Sequence, residues 1–260
     1  HPRVVLEARG EAGRVAWFLG AEEASARRAL AAMQAHLPGL RTEPGRPVRA
    51  TEVAAAVRMP GGKEVPLDVA ETHGAVRGLR AALAAARSDE QVRVQVSLGP
   101  RHRPRSPGDV PTERRAGMKA KYGEHRFSAE VRVGANAEDA RRARRLVQGV
   151  VAALRPLEAP GVSLRIVRAN AAGMDQVRDP FFWPLELGVT EVAGIIGWPI
   201  APKDAALPGV PSSHPKLLPV APRVRRRGRI LGVSTLDDSR AVALDTQTSL
   251  RHTHILGPNG

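Results

Sequence analysis

Two stretches of the chain alternate strictly between apolar and polar residues, and this pattern limits the possible folds more than any other feature. The first covers residues 92–98 and the second covers residues 127–133. A period of two is that of a β-strand with one buried face. Such strands need partners on the apolar side, so we predict a sheet with other elements packed on one face.

The segments around these strands complete a recognisable order. Residues 73–87 and 137–155 repeat apolar residues at helical spacing, and Asn136 is predicted to cap the second helix. Further strands are predicted within residues 48–58 and 162–166. The order is strand, helix, strand, strand, helix, strand, the split βαβ arrangement of ferredoxin-like domains. We therefore predict an α+β fold with an antiparallel sheet and both helices on one face.

Turn residues and composition divide the chain into four predicted segments. Residues 1–47 are predicted to be a β-hairpin and a helix that extend the next segment, the ferredoxin-like domain of residues 48–178. Residues 179–227 contain an aromatic cluster and a Pro-rich linker. Residues 228–260 begin a further domain, with short strands at residues 228–232 and 241–244.

The aromatic cluster at residues 179–199 stands out because only 3% of the chain is aromatic. Such a cluster is either a buried clasp or an exposed contact patch. We favour the clasp, and the prolines, glycines and two glutamates of the segment argue against membrane insertion. The aromatic residues in it are Phe181, Phe182, Trp183 and Trp198.

A net charge of +14 indicates an anionic partner, either nucleic acid or a membrane surface. The scarcity of aromatic side chains weakens a single-strand-binding interpretation. All but five of the 40 basic residues are arginine. Together with abundant Ala, Gly, Pro and Val, this is typical of a GC-rich coding sequence, which accounts for part of the charge without a binding role.

The densest basic stretch is residues 99–123, which we predict to be a loop between the two middle strands. One interpretation is an arm that contacts the phosphates of DNA, and the other is a solvated loop without a partner. The candidate nucleic-acid contacts are Arg101, Arg103, Arg105, Arg114, Arg115, Lys119 and Lys121.

The sequence predicts no catalytic residue and no metal ligand set. Cysteine is absent, which excludes disulfides and thiolate metal sites. His252 and His254 share one face of a predicted strand, but no third ligand lies near them in sequence. No order of serine, histidine and aspartate typical of a nucleophilic site occurs.

The last residues form a glycine turn after an apolar step. Ile255 and Leu256 precede Gly257, Pro258, Asn259 and Gly260. A P-loop reads G-x-x-x-x-G-K-[ST] after a buried strand, and Gly257 and Gly260 fit its first and fourth positions. The alternative is a type I′ hairpin turn at Asn259 and Gly260.

Residues 185–260 resemble the approach to the ATPase domain of conjugation and type IV secretion ATPases of the HerA/FtsK superfamily. Residues 228–234 are similar to a "GRVLG" strand, residues 241–244 to "PVAL", and residues 251–260 to "HxHxLGPTGSGKST". Residues 185–199 are similar to the "EL-A-LL-WP" step that precedes this linker. The chain departs from the pattern in having Asn259 where threonine is usual.

This resemblance implies an N-terminal docking and oligomerisation module of a cytoplasmic ATPase, usually hexameric and peripheral to the inner membrane. Such ATPases bind secretion or conjugation components and use ATP and Mg²⁺ to move DNA or protein. Gly257, Pro258, Asn259 and Gly260 would contact the nucleotide, while the lysine, the Mg²⁺-binding hydroxyl and the acidic residue would follow Gly260. We therefore expect residues 1–260 alone to be catalytically incompetent. A nucleic-acid-binding module and a non-enzymatic assembly adaptor remain alternatives.

Overall fold

A seven-stranded antiparallel sheet is the centre of the fold. In this computed structural model the described residues are 4–36, 40, 42–62, 65–70, 72–159, 162–198, 224–234, 240–245 and 247. The chain divides into two units, one of residues 1–32 and 43–212 and the other of residues 33–42 and 213–260. The sheet belongs to the first unit.

The strands are β1 to β9 and the helices α1 to α6 in chain order. The strands are β1 Val4–Glu11, β2 Arg14–Ala21, β3 Val53–Arg58, β4 Gln91–His102, β5 Arg126–Asn136, β6 Arg165–Arg168, β7 Leu185–Gly188, β8 Arg229–Val233 and β9 Ala241–Leu244. The helices are α1 Glu23–His36, α2 Thr72–Ala84, α3 Thr112–Gly123, α4 Ala140–Leu154, α5 Ala171–Asp175 and α6 Val189–Ile195.

The strand order in the sheet is β2-β1-β4-β5-β3-β6, and β7 also pairs with β5. All these pairings are antiparallel. β5 therefore lies between β3 and β4, the two strands that α2 connects, and β3 lies between β5 and β6, the two that α4 connects. The predicted α+β class with an antiparallel sheet is confirmed.

One face of the sheet forms the hydrophobic core with α2 and α4. The alternating residues of β4 and β5 meet in register on this face, with Val94 opposite Val133 and Val96 opposite Val131. All four are fully buried, and Leu79 of α2 and Val150 of α4 belong to the same cluster. The period-two pattern thus predicts correctly which side chains of these strands face the helices.

The β1–β2 hairpin is part of the same sheet, because β1 pairs with β4 from Gly10 opposite Val92 to Val4 opposite Leu98. Gly10 is required by packing. A Cβ at this position would lie 1.9 Å from the carbonyl oxygen of Leu83 at the end of α2.

Several predicted boundaries are wrong. The predicted loop of residues 99–123 contains the end of β4 and the twelve-residue helix α3. Asn136 ends β5, and the cap of α4 is Asp139, whose Oδ1 accepts a hydrogen bond from the Arg142 N–H at 2.7 Å. An aspartate accepts the helix N–H group as well as asparagine does and adds a favourable charge. The last strand, β6, begins at Arg165, later than predicted.

In the second unit, β8 and β9 form an antiparallel pair, as predicted for two short strands. Arg225 forms a further bridge to Ala243, and its guanidinium is 3.1 Å from Asp245. The linker of residues 201–223 lies outside the described residues, as do the candidate nucleotide contacts Gly257, Pro258, Asn259 and Gly260 and the pair His252 and His254. Within the described part of the chain, none of the helices has the length and apolar character needed to cross a membrane.

Candidate functional site

The turn after β4 and helix α3 together form an open basic depression of about 620 Å³. Arg105, Arg115 and Lys119 line it, together with Pro104 and Gly123. These side chains come together because the chain reverses direction between β4 and α3. A hydrogen bond from the Arg105 N–H to the Tyr122 carbonyl, at 2.9 Å, joins the two segments. Three of the seven predicted nucleic-acid contacts therefore share one surface.

Tyr122 fixes the geometry of this depression. Its ring is 2% exposed and lies between two guanidinium groups, that of Arg105 at 4.8 Å and that of Arg126 at 4.1 Å. Arg126 is buried and donates through Nε to Glu186 at 2.6 Å. Arg105 is thus held against a buried aromatic ring and is itself exposed to solvent.

Lys121 points inward, away from the other candidates. Its Nζ lies 3.1 Å from Glu191 and donates to the Val65 carbonyl at 3.0 Å, and the side chain is 2% exposed. Burial lowers the pKa of Lys121, and Glu191 opposes that shift. We therefore leave Lys121 out of the basic surface.

The remaining three candidates are exposed but do not line the depression. Arg101 lies near the end of β4, Arg103 follows it, and Arg114 lies in the first turn of α3. The predicted set thus separates into a convergent group of three, one buried lysine and three dispersed arginines.

A buried charged network that the sequence pattern did not indicate lies on the second face of the sheet. Glu7 of β1 accepts hydrogen bonds from Arg9 at 2.8 Å and from Gln95 at 3.2 Å. Arg93 pairs with Glu7 at 3.4 Å and with Asp175 of α5. Arg93 and Gln95 are the polar half of the alternating stretch in β4, which an exposed sheet face would also contain. The signal in the sequence was an acidic residue on β1, Glu7, and a basic residue on β4, Arg93, but their pairing is readable only once the two strands are known to be neighbours.

A serine, a histidine and a glutamate come together near α3 but do not form a relay. His102 Nε2 lies 3.0 Å from Ser128 Oγ, and the same nitrogen is 4.0 Å from Glu186. A histidine that activates a serine uses its second ring nitrogen to contact the acid. Ser128 is also 8% exposed, so a substrate carbonyl has little access to it. Among the described residues no three His, Asp or Glu side chains are grouped to hold a metal ion.

The aromatic cluster is not a buried clasp as a whole. Phe181 is 92% exposed and Phe182 is 77% exposed, and their rings pack edge to face at 4.6 Å. The predicted burial is wrong for this pair. Trp183 packs directly on Gly99, where a Cβ would lie 2.5 Å from the indole ring. Trp198 is half-buried and meets Trp17 edge to face at 6.0 Å.

Comparison of the chain with protein family models, with curated proteins and with solved structures finds no match.

Proposed function

We propose that this chain is the N-terminal docking and oligomerisation module of a P-loop ATPase of the HerA/FtsK superfamily, one that powers DNA conjugation or type IV secretion. The proposal rests on the resemblance of residues 185–260 to the approach to that ATPase domain. A hexameric assembly on the cytoplasmic side of the inner membrane and contacts with secretion components are parts of the same proposal.

The best support for this proposal is the position in the fold of residues 185–199, the first segment that resembles these ATPases. Residues 185–195 form β7 and α6, and β7 extends the sheet by pairing with β5, with Phe127 opposite Leu187. Ile195 and Ile196 of this segment are buried in the core. The segment that precedes the linker in these ATPases is thus, in this chain, an integral part of the folded module, and the β8–β9 pair follows it in a separate unit.

The fold supports a module of this kind without specifying its activity. In the β3-α2-β4 and β5-α4-β6 connections, the two connected strands are separated by one antiparallel strand. This separation is typical of the split βαβ arrangement and supports our proposal that residues 53–168 form a ferredoxin-like domain, with β1, β2 and β7 as additions.

ATP turnover tests this proposal. We expect residues 1–260 to show no ATP hydrolysis, because phosphoryl transfer needs the P-loop lysine and an ordered Mg²⁺. A gene product that continues past Gly260 should have one residue followed by Gly-Lys-Ser or Gly-Lys-Thr. Replacing that lysine with alanine should abolish turnover while the N-terminal module still folds. A continuation without this motif would contradict the ATPase assignment and leave the assembly adaptor as the better interpretation. Hydrolysis by residues 1–260 alone would contradict both the adaptor and an ATPase site that needs residues after Gly260.

A second candidate function is polyanion binding at the basic depression of α3. The convergence of Arg105, Arg115 and Lys119 favours it. Non-specific affinities for DNA are about 10⁻⁴–10⁻⁶ M at physiological salt and weaken steeply as salt rises. We expect the chain to bind DNA in this range through phosphate contacts.

Fluorescence anisotropy with a labelled DNA duplex tests this second function. The double variant Arg115→Gln/Lys119→Gln should reduce both the affinity and the slope of its salt dependence. The matched control is Arg144→Gln/Arg145→Gln, which removes the same charge from exposed positions on α4. Equal losses in the two variants would assign the binding to net charge rather than to the depression.

A further inference from the structure

The strand at one end of the sheet, β6, has an open edge. It pairs with β3 on one side, and no strand in the described part of the chain pairs with its other side. Its two apolar side chains, Ile166 and Val167, are each 41% exposed. An open edge that carries exposed apolar residues is a template for pairing with another chain.

The hydrogen bonds to β3 identify the backbone groups on the open edge. The Ala169 N–H donates to the Ala54 carbonyl at 3.0 Å, so the polar backbone groups of Ala169 point toward β3. Successive residues of a strand alternate in this direction, and Val167 therefore points toward β3 as well. Ile166 and Arg168 are left with their N–H and C=O groups directed to the open edge.

The residues on either side of this pair are already engaged. The Leu164 N–H donates to Glu158 at 2.7 Å, and the Asn170 carbonyl accepts from the Met174 N–H at 3.0 Å where α5 begins. Met174 in turn lies over Gly134 of β5, where a Cβ would be 2.6 Å from its sulfur. Helix α5 thus turns back over the sheet and leaves the open edge uncovered.

The open backbone groups fit a second copy of β6 that runs antiparallel. When Ile166 lies opposite Arg168 of the second copy, Arg168 lies opposite Ile166, and each of these two pairs exchanges two hydrogen bonds. Val167 then lies opposite Val167 of the second copy, in the non-hydrogen-bonded pair between them. This register uses every open N–H and C=O group of the two residues, and a two-fold axis through the Val167 pair relates the copies.

The side chains of the strand agree with this register. Ile166 and Arg168 lie opposite Val57 and Ala55 of β3, which belong to the core cluster, so they are on the face of α2 and α4. The aliphatic stem of Arg168 can then cover Ile166 of the second copy. On the second face, Val167 meets its equivalent, and both apolar side chains lose exposed surface.

The charges of β6 also permit this pairing. Like charges directly opposite each other on two strands are destabilising. In the register above, Arg168 lies opposite Ile166 and Arg165 lies opposite Ala169 of the second copy. No two guanidinium groups of the strand therefore face each other directly.

We propose that two copies of this chain associate through β6 and form one continuous sheet across a two-fold axis at Val167. Such a contact closes at two copies, so a larger ring would need a further contact elsewhere. The strand has only four residues. Since stable complexes bury about 800 Å² per partner, we expect a weak dimer that forms near about 100 µM. The proposal rests on the proposed oligomerisation module only for the role of the dimer, because the strand geometry is independent of the ATPase assignment.

Disulfide cross-linking tests the register, because the chain has no cysteine of its own. Val167→Cys should form a covalent dimer in an oxidised glutathione buffer, since the Cα atoms of a non-hydrogen-bonded pair are about 4.5 Å apart, within disulfide range. The matched control is Arg165→Cys, an exposed position on the same face of the same strand. Its two copies would be offset by about 13 Å along the strands, so it should cross-link at least about tenfold more slowly.

Sedimentation velocity tests the association without cross-linking. The mass of the unaltered chain should rise with concentration from 27.8 kDa toward twice that value. Ile166→Pro removes an N–H on the open edge but none that points toward β3, and it should weaken the dimer by at least about tenfold. Ile166→Val keeps that N–H and should weaken the dimer by less than about threefold. Circular dichroism should be the same for both variants. If Ile166→Pro unfolds, the two cysteine variants still decide, because they leave the backbone groups in place.

Three results would overturn the proposal. The first is an unaltered chain that stays monomeric at all concentrations, which would leave the edge to a strand of another protein. The second is equal cross-linking of Val167→Cys and Arg165→Cys, which would indicate random collision. The third is a folded Ile166→Pro variant that dimerises as well as the unaltered chain, which would place the contact elsewhere. None of these results bears on ATP turnover, and a failed ATPase assignment would leave the dimer intact.

Discussion

At the scale of single residues, an ion pair links the start of α4 to the turn before β4. Arg142 donates to both carboxylate oxygens of Glu90, at 2.7 and 2.8 Å, and the Arg87 N–H donates to the same carboxylate at 3.0 Å. The hydrogen bonds from Arg142 lower the pKa of Glu90 from 4.5 to about 2, against the opposing effect of burial. The carboxylate is therefore more stable in the folded chain than in the unfolded one.

This pair predicts a pH-dependent part of the stability. Because the folded pKa is below the unfolded value, the contribution is full above pH 4.5 and is lost as the pH falls toward about 2. We expect Glu90→Gln to lower the free energy of unfolding by about 1–3 kcal/mol at pH 7 and by much less at pH 2.5. Urea titrations at several pH values measure this, and Arg142→Gln should lose the same pH-dependent part. A difference that stays constant from pH 7 to 2.5 would contradict the assignment.

Arg80 is the opposite case, a guanidinium buried without a partner. It is 0% exposed, and none of its three side-chain nitrogens has a hydrogen-bond partner in the described part of the chain. Its guanidinium carbon lies 5.1 Å from the centre of the Trp17 ring. Burial accordingly lowers the pKa of Arg80.

We predict that Arg80→Met stabilises the fold. Methionine fills a similar volume, and its apolar side chain avoids the cost of burying an unpaired charge, so the free energy of unfolding should rise by about 1–3 kcal/mol. Chemical denaturation measures the change. Arg144→Met, at an exposed position of α4, should alter stability by about 0.5 kcal/mol or less. If Arg80→Met is clearly destabilising, the guanidinium has a stabilising role that its contacts do not reveal.

At the scale of elements, the packing of the β1–β2 hairpin against α2 depends on Gly10. Because glycine has no Cβ, the strand can approach the backbone of the last turn of α2. A Cβ at position 10 would lie 1.9 Å from the carbonyl oxygen of Leu83. The neighbouring strand offers a comparison, because a Cβ at Gly20 would meet nothing closer than 3.7 Å.

We therefore predict different effects for two equivalent substitutions in this hairpin. Gly10→Ala should destabilise the fold by about 3 kcal/mol or more, since backbone atoms on both sides must move. Gly20→Ala should change stability by less than about 1 kcal/mol, because its Cβ makes an ordinary contact. Thermal unfolding of the two variants decides the point, and similar midpoints would show that α2 shifts away from the strand at little cost.

At the scale of the whole molecule, the hairpin is a structural part of the sheet. β4 forms its ladder with β1 over seven residue pairs, from Val4 opposite Leu98 to Gly10 opposite Val92. The second unit, in contrast, has its own strand pair in β8 and β9. The two ends of the chain should therefore differ in what their removal does to the sheet.

We predict that a chain lacking residues 1–47 loses its cooperative unfolding transition, because β4 then has an unpaired edge and an uncovered core. A chain ending at residue 212 should keep the transition, since it retains every strand of the sheet. Circular dichroism during heating measures both. Cooperative unfolding of residues 48–260 would contradict this prediction and show that the sheet forms without residues 1–47.

The sequence by itself determined the elements whose pattern is local. Alternation at residues 92–98 and 127–133 places every second side chain on one face, and helical spacing in α2 and α4 places one stripe against that face. An apolar side chain needs only another apolar side chain as a neighbour, whichever residue supplies it. The strands, the helices and their shared core were therefore predictable from local pattern. Helix α3 was missed because abundant basic residues and glycines obscured the spacing of Met118 and Tyr122, one helical turn apart.

Only the tertiary structure decided the fate of the charged residues. Lys121 and Arg105 both belong to the basic stretch of residues 99–123. Lys121 forms a buried ion pair with Glu191, 70 residues away, whereas Arg105 faces solvent beside Tyr122. Arg93 finds its acidic partner on β1, and Arg142 of α4 finds its partner, Glu90, in the turn before β4. A charged side chain is stable on a surface or in a buried pair, and the choice between them depends on a distant residue that the local pattern does not contain.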